Sequence, residues 1–151
     1  MKLLRYGPVG QEKPGLCDRD GAIRDLSQHV ADIGPDTLAP AELARLAKID
    51  PASLPKVSGT PRQGVPVGCI RKFLAVGLNY ADHAAEAGMP IPPEPVVFTK
   101  SISCLSGPND PVMLPKGSKK GDWEVELGIF IGRTARYVSE AEALDYVAGY
   151  A

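Results

Sequence analysis

Glu124 and Glu126 lie two residues apart in the stretch Gly121-Asp122-Trp123-Glu124-Val125-Glu126-Leu127-Gly128-Ile129-Phe130-Ile131-Gly132. The acidic residues fall on one parity, and Trp123, Val125 and Leu127 fall on the other. This alternation predicts a half-buried strand from Trp123 to Ile131, whose successive side chains point to opposite faces. The two glutamates then project from one face, about 7 Å apart at a rise of roughly 3.3 Å per residue. Carboxylates that close repel each other unless a cation lies between them, and oxygen ligands suit hard cations such as Mg²⁺, Mn²⁺ or Ca²⁺. The pattern alone has a plainer and commoner account: both residues are solvated on the outer face of a sheet, as most Asp and Glu are. That account must accommodate two glutamates, which strands disfavour, inside a strongly alternating segment.

His83 and Glu86 form a second pair, three residues apart in a segment predicted as a short helix from Tyr80 to Ala87. Asn79 is its expected N-cap, Asp82 lies in its first turn, and Gly88 closes it. Residues at i and i+3 share a helix face. A carboxylate there can fix the imidazole tautomer and raise its basicity, as a general base requires. The same spacing is commonplace as a surface pair worth only a few tenths of a kcal/mol. Lys100 ends the predicted strand Val96–Lys100, from which an ammonium can reach a cleft and hold a substrate carboxylate; most strand-end lysines are simply solvated. His29 has no evident partner. Gly77-Leu78-Asn79-Tyr80 joins a strand to a helix but lacks the glycine spacing of nucleotide loops, and no nucleophile elbow occurs.

The elements that must position these groups are punctuated by Gly and Pro, present 16 and 15 times, as in a β-rich fold with many turns. Lys2–Tyr6 reads as a strand. Residues 15–18 and 22–26 read as a hairpin around Asp20-Gly21. Thr37–Ile49 reads as a helix with Pro40 in its first turn and an apolar stripe of Leu43, Leu46, Ala47 and Ile49. Residues 50–67, with Pro51, Pro55, Pro61 and Pro66, read as a connector. They divide a small N-terminal α+β domain (1–65) from the first part of a larger β domain (66–151). Lys72–Val76 reads as a strand. The capping box Ser139-Glu140-Ala141-Glu142 predicts a helix to about Ala148.

With 151 residues, 44% of them hydrophobic, the chain has enough apolar surface for a globular core. A net charge of −1 without a basic block argues against nucleic-acid binding and against a polybasic membrane patch. Cys17, Cys69 and Cys104 are far apart, with no CxxC pair, which disfavours a disulfide framework or zinc knuckle and points to a reducing cytoplasm. No signal peptide is expected, and no apolar run approaches the roughly 18 residues of a membrane span.

Three segments together resemble the fumarylacetoacetate hydrolase superfamily: Gly77–Glu86, then Pro95–Lys100 with Ser106–Pro111, then Asp122–Gly128 with its Glu-x-Glu-Leu-Gly element. Their order and spacing match from about Lys72 onward, and residues 1–65 look like the family's small N-terminal domain. The look is closest to bacterial 2,4-diketo-3-deoxy-fuconate hydrolase and ureidoglycolate-lyase-like members. The resemblance implies an α+β, mostly β fold: a mixed β-sandwich or β-roll, incomplete in this sequence, behind a small α+β domain. It implies that Glu124 and Glu126 are two ligands of Mg²⁺ or Mn²⁺, with Ca²⁺ also accommodated, and that His83 and Glu86 are a dyad activating water. Lys100 is implied to lie near the cleft.

The implied reaction is hydrolysis of a C–C bond in a short 2,4-dioxo acid, leaving an enolate that the metal stabilises. Lyase, decarboxylase or isomerase chemistry of the same superfamily is the alternative. The family's third acidic ligand and a later lysine would follow the predicted 139–148 helix and do not occur in this sequence. The chain is therefore also readable as a non-catalytic association module. Expected partners are the small oxo-acid substrate and further copies of the chain, as a homodimer or higher homo-oligomer, with neither nucleic acid nor membrane.

Overall fold

The computed structural model describes residues 1–151, which form two compact units: Met1–Cys69 with Ser106–Ala151, and Ile70–Leu105. Strands predominate and the two α-helices are short, so the chain is α+β and mostly β. No helix is long and apolar enough to cross a membrane.

The first unit opens with an antiparallel sheet of β1 (Lys2–Tyr6), β2 (Lys13–Cys17) and β3 (Ile23–Asp25), in that order. Its registers run from Lys2↔Cys17 to Tyr6↔Lys13 and from Gly15↔Asp25 to Cys17↔Ile23. The hairpin follows its sequence signal. Gly21 takes φ 82°, and the Asp18 carboxylate accepts from the Asp20 and Ala22 amides at 3.0 and 2.8 Å. Helix α1 (Pro40–Leu46) is shorter than the predicted 37–49, because Ala39 is extended and Asp50 already caps a 3₁₀ turn at Pro51–Ser53. The apolar pattern is nonetheless realised: Leu16, Leu26, Ile33, Leu46 and Leu54 are buried together with Tyr6. Fully burying a side chain of that size contributes about 1.5–3 kcal/mol.

The Pro-rich segment is stitched to both outer edges of this sheet. At β1, Gln63 bridges Tyr6, with the Gly7 amide donating to the Arg62 carbonyl at 2.8 Å and the Gly64 amide donating to the Arg5 carbonyl at 2.9 Å. At β3, Lys56 bridges Arg24, and the Asp25 amide donates to the Pro55 carbonyl at 2.9 Å. Covering both edges removes the unpaired ladder groups through which a sheet recruits other chains.

A chain of ion pairs runs across the same unit: Asp32 to Arg5 at 2.7 Å, Arg5 to Glu12 at 3.6 Å, Glu12 to Arg62 at 2.9 Å, and Arg62 to Asp110 at 2.6 Å. The last is bidentate, with Arg62 Nε on Asp110 Oδ1 at 2.7 Å, the strongest geometry for such a pair. It fastens the Ser106–Pro111 turn to residue 62. Gly107 belongs to that contact. Its amide donates to Asp110 Oδ2 at 2.7 Å, and a Cβ there would overlap the Gln63 carbonyl oxygen.

Later in the chain the sequence expectations shift. The strand predicted from Trp123 to Ile131 exists only as β6 (Ile129–Ile131), paired antiparallel with β7 (Val147–Tyr150). The ladder runs from Gly128, opposite Ala151, to Gly132, opposite Tyr146; residues 121–127 have no strand opposite them in this chain. The helix predicted over 139–148 is a 3₁₀ helix, Glu140–Tyr146, after which the chain enters β7. Ser139 and Glu142 do meet, hydroxyl to carboxylate at 2.6 Å, but the residues after Tyr146 gain a ladder with β6 that a continued helix would forfeit.

Candidate functional site

In the second unit, β4 (Leu74–Gly77) pairs antiparallel with β5 (Val96–Thr99), from Leu74↔Thr99 to Gly77↔Val96. The turn leaving β4 is strained. Leu78 holds φ 49°, a left-handed conformation uncommon for a bulky side chain and costing of order 1–3 kcal/mol. It delivers the chain into α2 (Ala81–Glu86), whose N-cap is Tyr80 with no side-chain bond, in place of the expected Asn79. The C-terminus is closed as the sequence indicates. Gly88 takes φ 65°, the Met89 amide donates to the Ala84 carbonyl at 2.9 Å, and the Gly88 amide donates to the Ala85 carbonyl at 3.1 Å. This doubly bonded cap satisfies carbonyls that so short a helix would leave bare. Ala84 is the buried anchor of α2, while His83 and Glu86 are exposed on it. They lie one helical step apart, and no hydrogen bond or ion pair joins their side chains. The Asp82 carboxylate accepts from the His83 backbone amide at 2.9 Å.

Lys100 follows β5 and is half-buried. Its amide donates to the Phe73 carbonyl at 2.9 Å, extending the β4–β5 ladder by one residue. Around this end of the pair is a depression of about 350 Å³ lined by Arg71, Lys72, Phe73, Thr99, Lys100 and Ile102. Arg71 and Lys72 were not singled out from the sequence. Their signal was present, since they precede a strand whose antiparallel partner ends in Lys100, but it needed the pairing to become legible.

Glu124 and Glu126 lie in the first unit, both exposed, in the segment outside any sheet. As donors they fit a hard cation, being carboxylate oxygens at i,i+2. No group of three or more His, Cys, Asp or Glu side chains in the chain is placed to hold a metal ion.

Residues 72–151 match the family described as fumarylacetoacetate (FAA) hydrolase, C-terminal. A protein of Burkholderia ambifaria strain MC40-6, provisionally named a hydrolase, is 67% identical over 150 residues, covering 99% of this chain and 53% of the relative. A provisionally named hydrolase of Burkholderia multivorans is 65% identical with the same coverage. The chain thus spans about half the length of the curated relatives it matches. Among solved structures, a fumarylacetoacetate hydrolase from the psychrophile Exiguobacterium antarcticum superposes with a TM-score of 0.76 at 29% identity, covering 99% of this chain and 53% of that one. A Mycobacterium smegmatis protein provisionally titled HpcE gives 0.74 at 30% identity, with the same coverage.

Proposed function

The chain belongs to the fumarylacetoacetate hydrolase family, and from that premise we propose that the whole protein is a divalent-metal-dependent hydrolase that cleaves a C–C bond in a short 2,4-dioxo acid. The observation carrying this reading is that the matched span, 72–151, contains all five candidate residues: His83, Glu86, Lys100, Glu124 and Glu126. Glu124 and Glu126 are proposed to supply two anionic ligands for Mg²⁺ or Mn²⁺. When bound, such a cation supplies Lewis-acid polarisation of the substrate carbonyls. His83 accepts a proton from the attacking water, and Glu86, three residues on in α2, is proposed to orient the imidazole. Lys100 holds a substrate carboxylate, and the strain at Leu78 sets the approach of α2. Residues 1–65 serve as a small N-terminal domain and 66–151 as the first part of the catalytic one.

The test is turnover of acylpyruvates by the full-length parent protein with Mg²⁺ or Mn²⁺. His83→Ala is expected to lower kcat by about 10²–10⁴, the usual worth of a general base. Glu124→Gln and Glu126→Gln are expected to raise the metal concentration needed for half-maximal rate. Turnover that survives both chelation and the glutamate substitutions would refute the metal-dependent reading.

A further inference from the structure

We infer that the ion-pair chain Asp32–Arg5–Glu12–Arg62–Asp110 is a conformational clamp: it makes the two connections to the Ile70–Leu105 unit, residues 64–69 and 106–110, loosen and tighten together. That unit is an insertion, entered after Cys69 and left before Ser106. Each connection is fastened at one end of the ion chain. On the way in, Asp32 Oδ1 accepts from Arg5 Nε at 2.7 Å and from the Ile33 amide at 2.8 Å. The Ile33 carbonyl in turn accepts from the Gly68 amide at 2.7 Å. A Cβ at Gly68 would lie 2.6 Å from Asp32 Oδ2, so the backbone there rests directly on the carboxylate. On the way out, Asp110 takes the bidentate bond from Arg62 and accepts from the Gly107 amide at 2.7 Å.

Glu12 joins the two ends. Its carboxylate lies between Arg5 at 3.6 Å and Arg62 at 2.9 Å, and its side chain is 8% exposed. Charges alternate in sign along the chain, so each arginine is shared by two carboxylates. Connected pairs of this kind are worth more than isolated surface pairs, and removing one member of a buried set leaves its neighbours uncompensated. Loosening at one end therefore weakens the grip at the other. The inserted unit carries His83, Glu86 and Lys100, so a change at Glu12 reaches them through both connections. That consequence for catalysis rests on the functional reading above; the coupling of the connections stands on the geometry.

The experiment is hydrogen–deuterium exchange of the 151-residue chain, read residue by residue by mass spectrometry at sub-micromolar concentration. Neither metal nor turnover is involved, so failure of the hydrolase reading leaves the result interpretable. Glu12→Gln is expected to accelerate exchange about 5-fold or more at both the Gly68 and the Gly107 amides. Asp32→Asn should accelerate the distant Gly107 amide as well as Gly68, and Asp110→Asn the distant Gly68 amide as well as Gly107. If Glu12→Gln fails to fold, these two end variants decide the question. The Leu26 amide, bonded to the Pro14 carbonyl at 3.0 Å, reports on unfolding of the sheet and should be unchanged. Asp18→Asn, which breaks the separate pair with Arg24, should leave both connections as they are. Acceleration confined to the end that carries the substitution, or equal acceleration at Leu26, would overturn the clamp.

Discussion

Tyr6 shows how one side chain records its surroundings. It ends β1, is buried, and its hydroxyl bonds Asp25. Burial, and then the hydrogen bond and negative charge of Asp25, push its hydroxyl up to about 12. Asp25 answers in the opposite direction. Burial opposes its ionised form, but hydrogen bonds from Ser27 and Tyr6 and the charge of Lys13 hold its carboxyl below the ordinary range. Because the folded state raises the tyrosine value, its contribution is fully present below an ordinary value near 10 and fades as pH climbs toward 12. Tyr6→Phe is therefore expected to cost about 1 kcal/mol at neutral pH, the worth of one buried hydrogen bond. The deficit should shrink across that alkaline window. Chemical denaturation at pH 7 and above pH 10 measures both, and a deficit independent of pH would contradict the assignment.

At the scale of elements, the Ser106–Pro111 turn is held by a partner far away in sequence. Arg62 reaches Asp110 across 48 positions, and Gly107 leaves room for the Gln63 backbone. The Arg62 hydrogen bonds first, and then the Gly107 amide, hold the Asp110 carboxyl below its ordinary value. Burial pushes the Glu12 carboxyl up, but Arg62 and Arg5 more than offset it. Depressed carboxylates stabilise the fold above their unfolded values and lose that contribution as pH falls through the folded ones. Asp110→Asn should accordingly lower Tm at pH 7, with the difference from the parent chain closing as pH falls below about 4, the ordinary range of an aspartate. A gap that stays constant down to pH 3 would mean that the turn is held by packing instead. The same pair explains why the Pro-rich segment behaves as structure: it is anchored at residue 62 as well as along both sheet edges.

For the whole molecule, the distribution of apolar surface matters most. The buried core lies almost entirely in residues 1–69, whereas Trp123, Val125 and Leu127 are 79%, 76% and 62% exposed. Those three share one parity of an alternating segment that has no ladder partner in this chain, and exposed apolar stretches of this kind drive association. The 151-residue chain is expected to self-associate at micromolar concentrations. Val125→Lys with Leu127→Lys should shift sedimentation velocity profiles toward monomer while leaving the near-UV signals of the buried unit intact. Profiles that are monomeric before substitution would refute this.

The sequence by itself determined what is encoded within a few residues. The Asp-Gly turn specified the β2–β3 hairpin, and the Gly88 stop and apolar run specified α2 and β5. The spacing of His83 and Glu86 placed them on one short helix, and the motif residues pointed to the family. What it left to the tertiary structure were the relations between distant segments. Alternation makes 121–127 competent to be a strand, but a strand exists only where another lies opposite, and here the ladder begins at Gly128. Ser139 does stand at an N-cap, but its hydroxyl bonds the Glu142 carboxylate and caps no backbone amide, and pairing with β6 converts the residues after Tyr146 into β7. The edge contacts of the Pro-rich segment, the Arg62–Asp110 pair and the meeting of Arg71 and Lys72 with Lys100 depend on which backbones come to lie side by side. That choice is made by burial and ladder bonds summed over the whole fold, to which local propensity contributes only a small share.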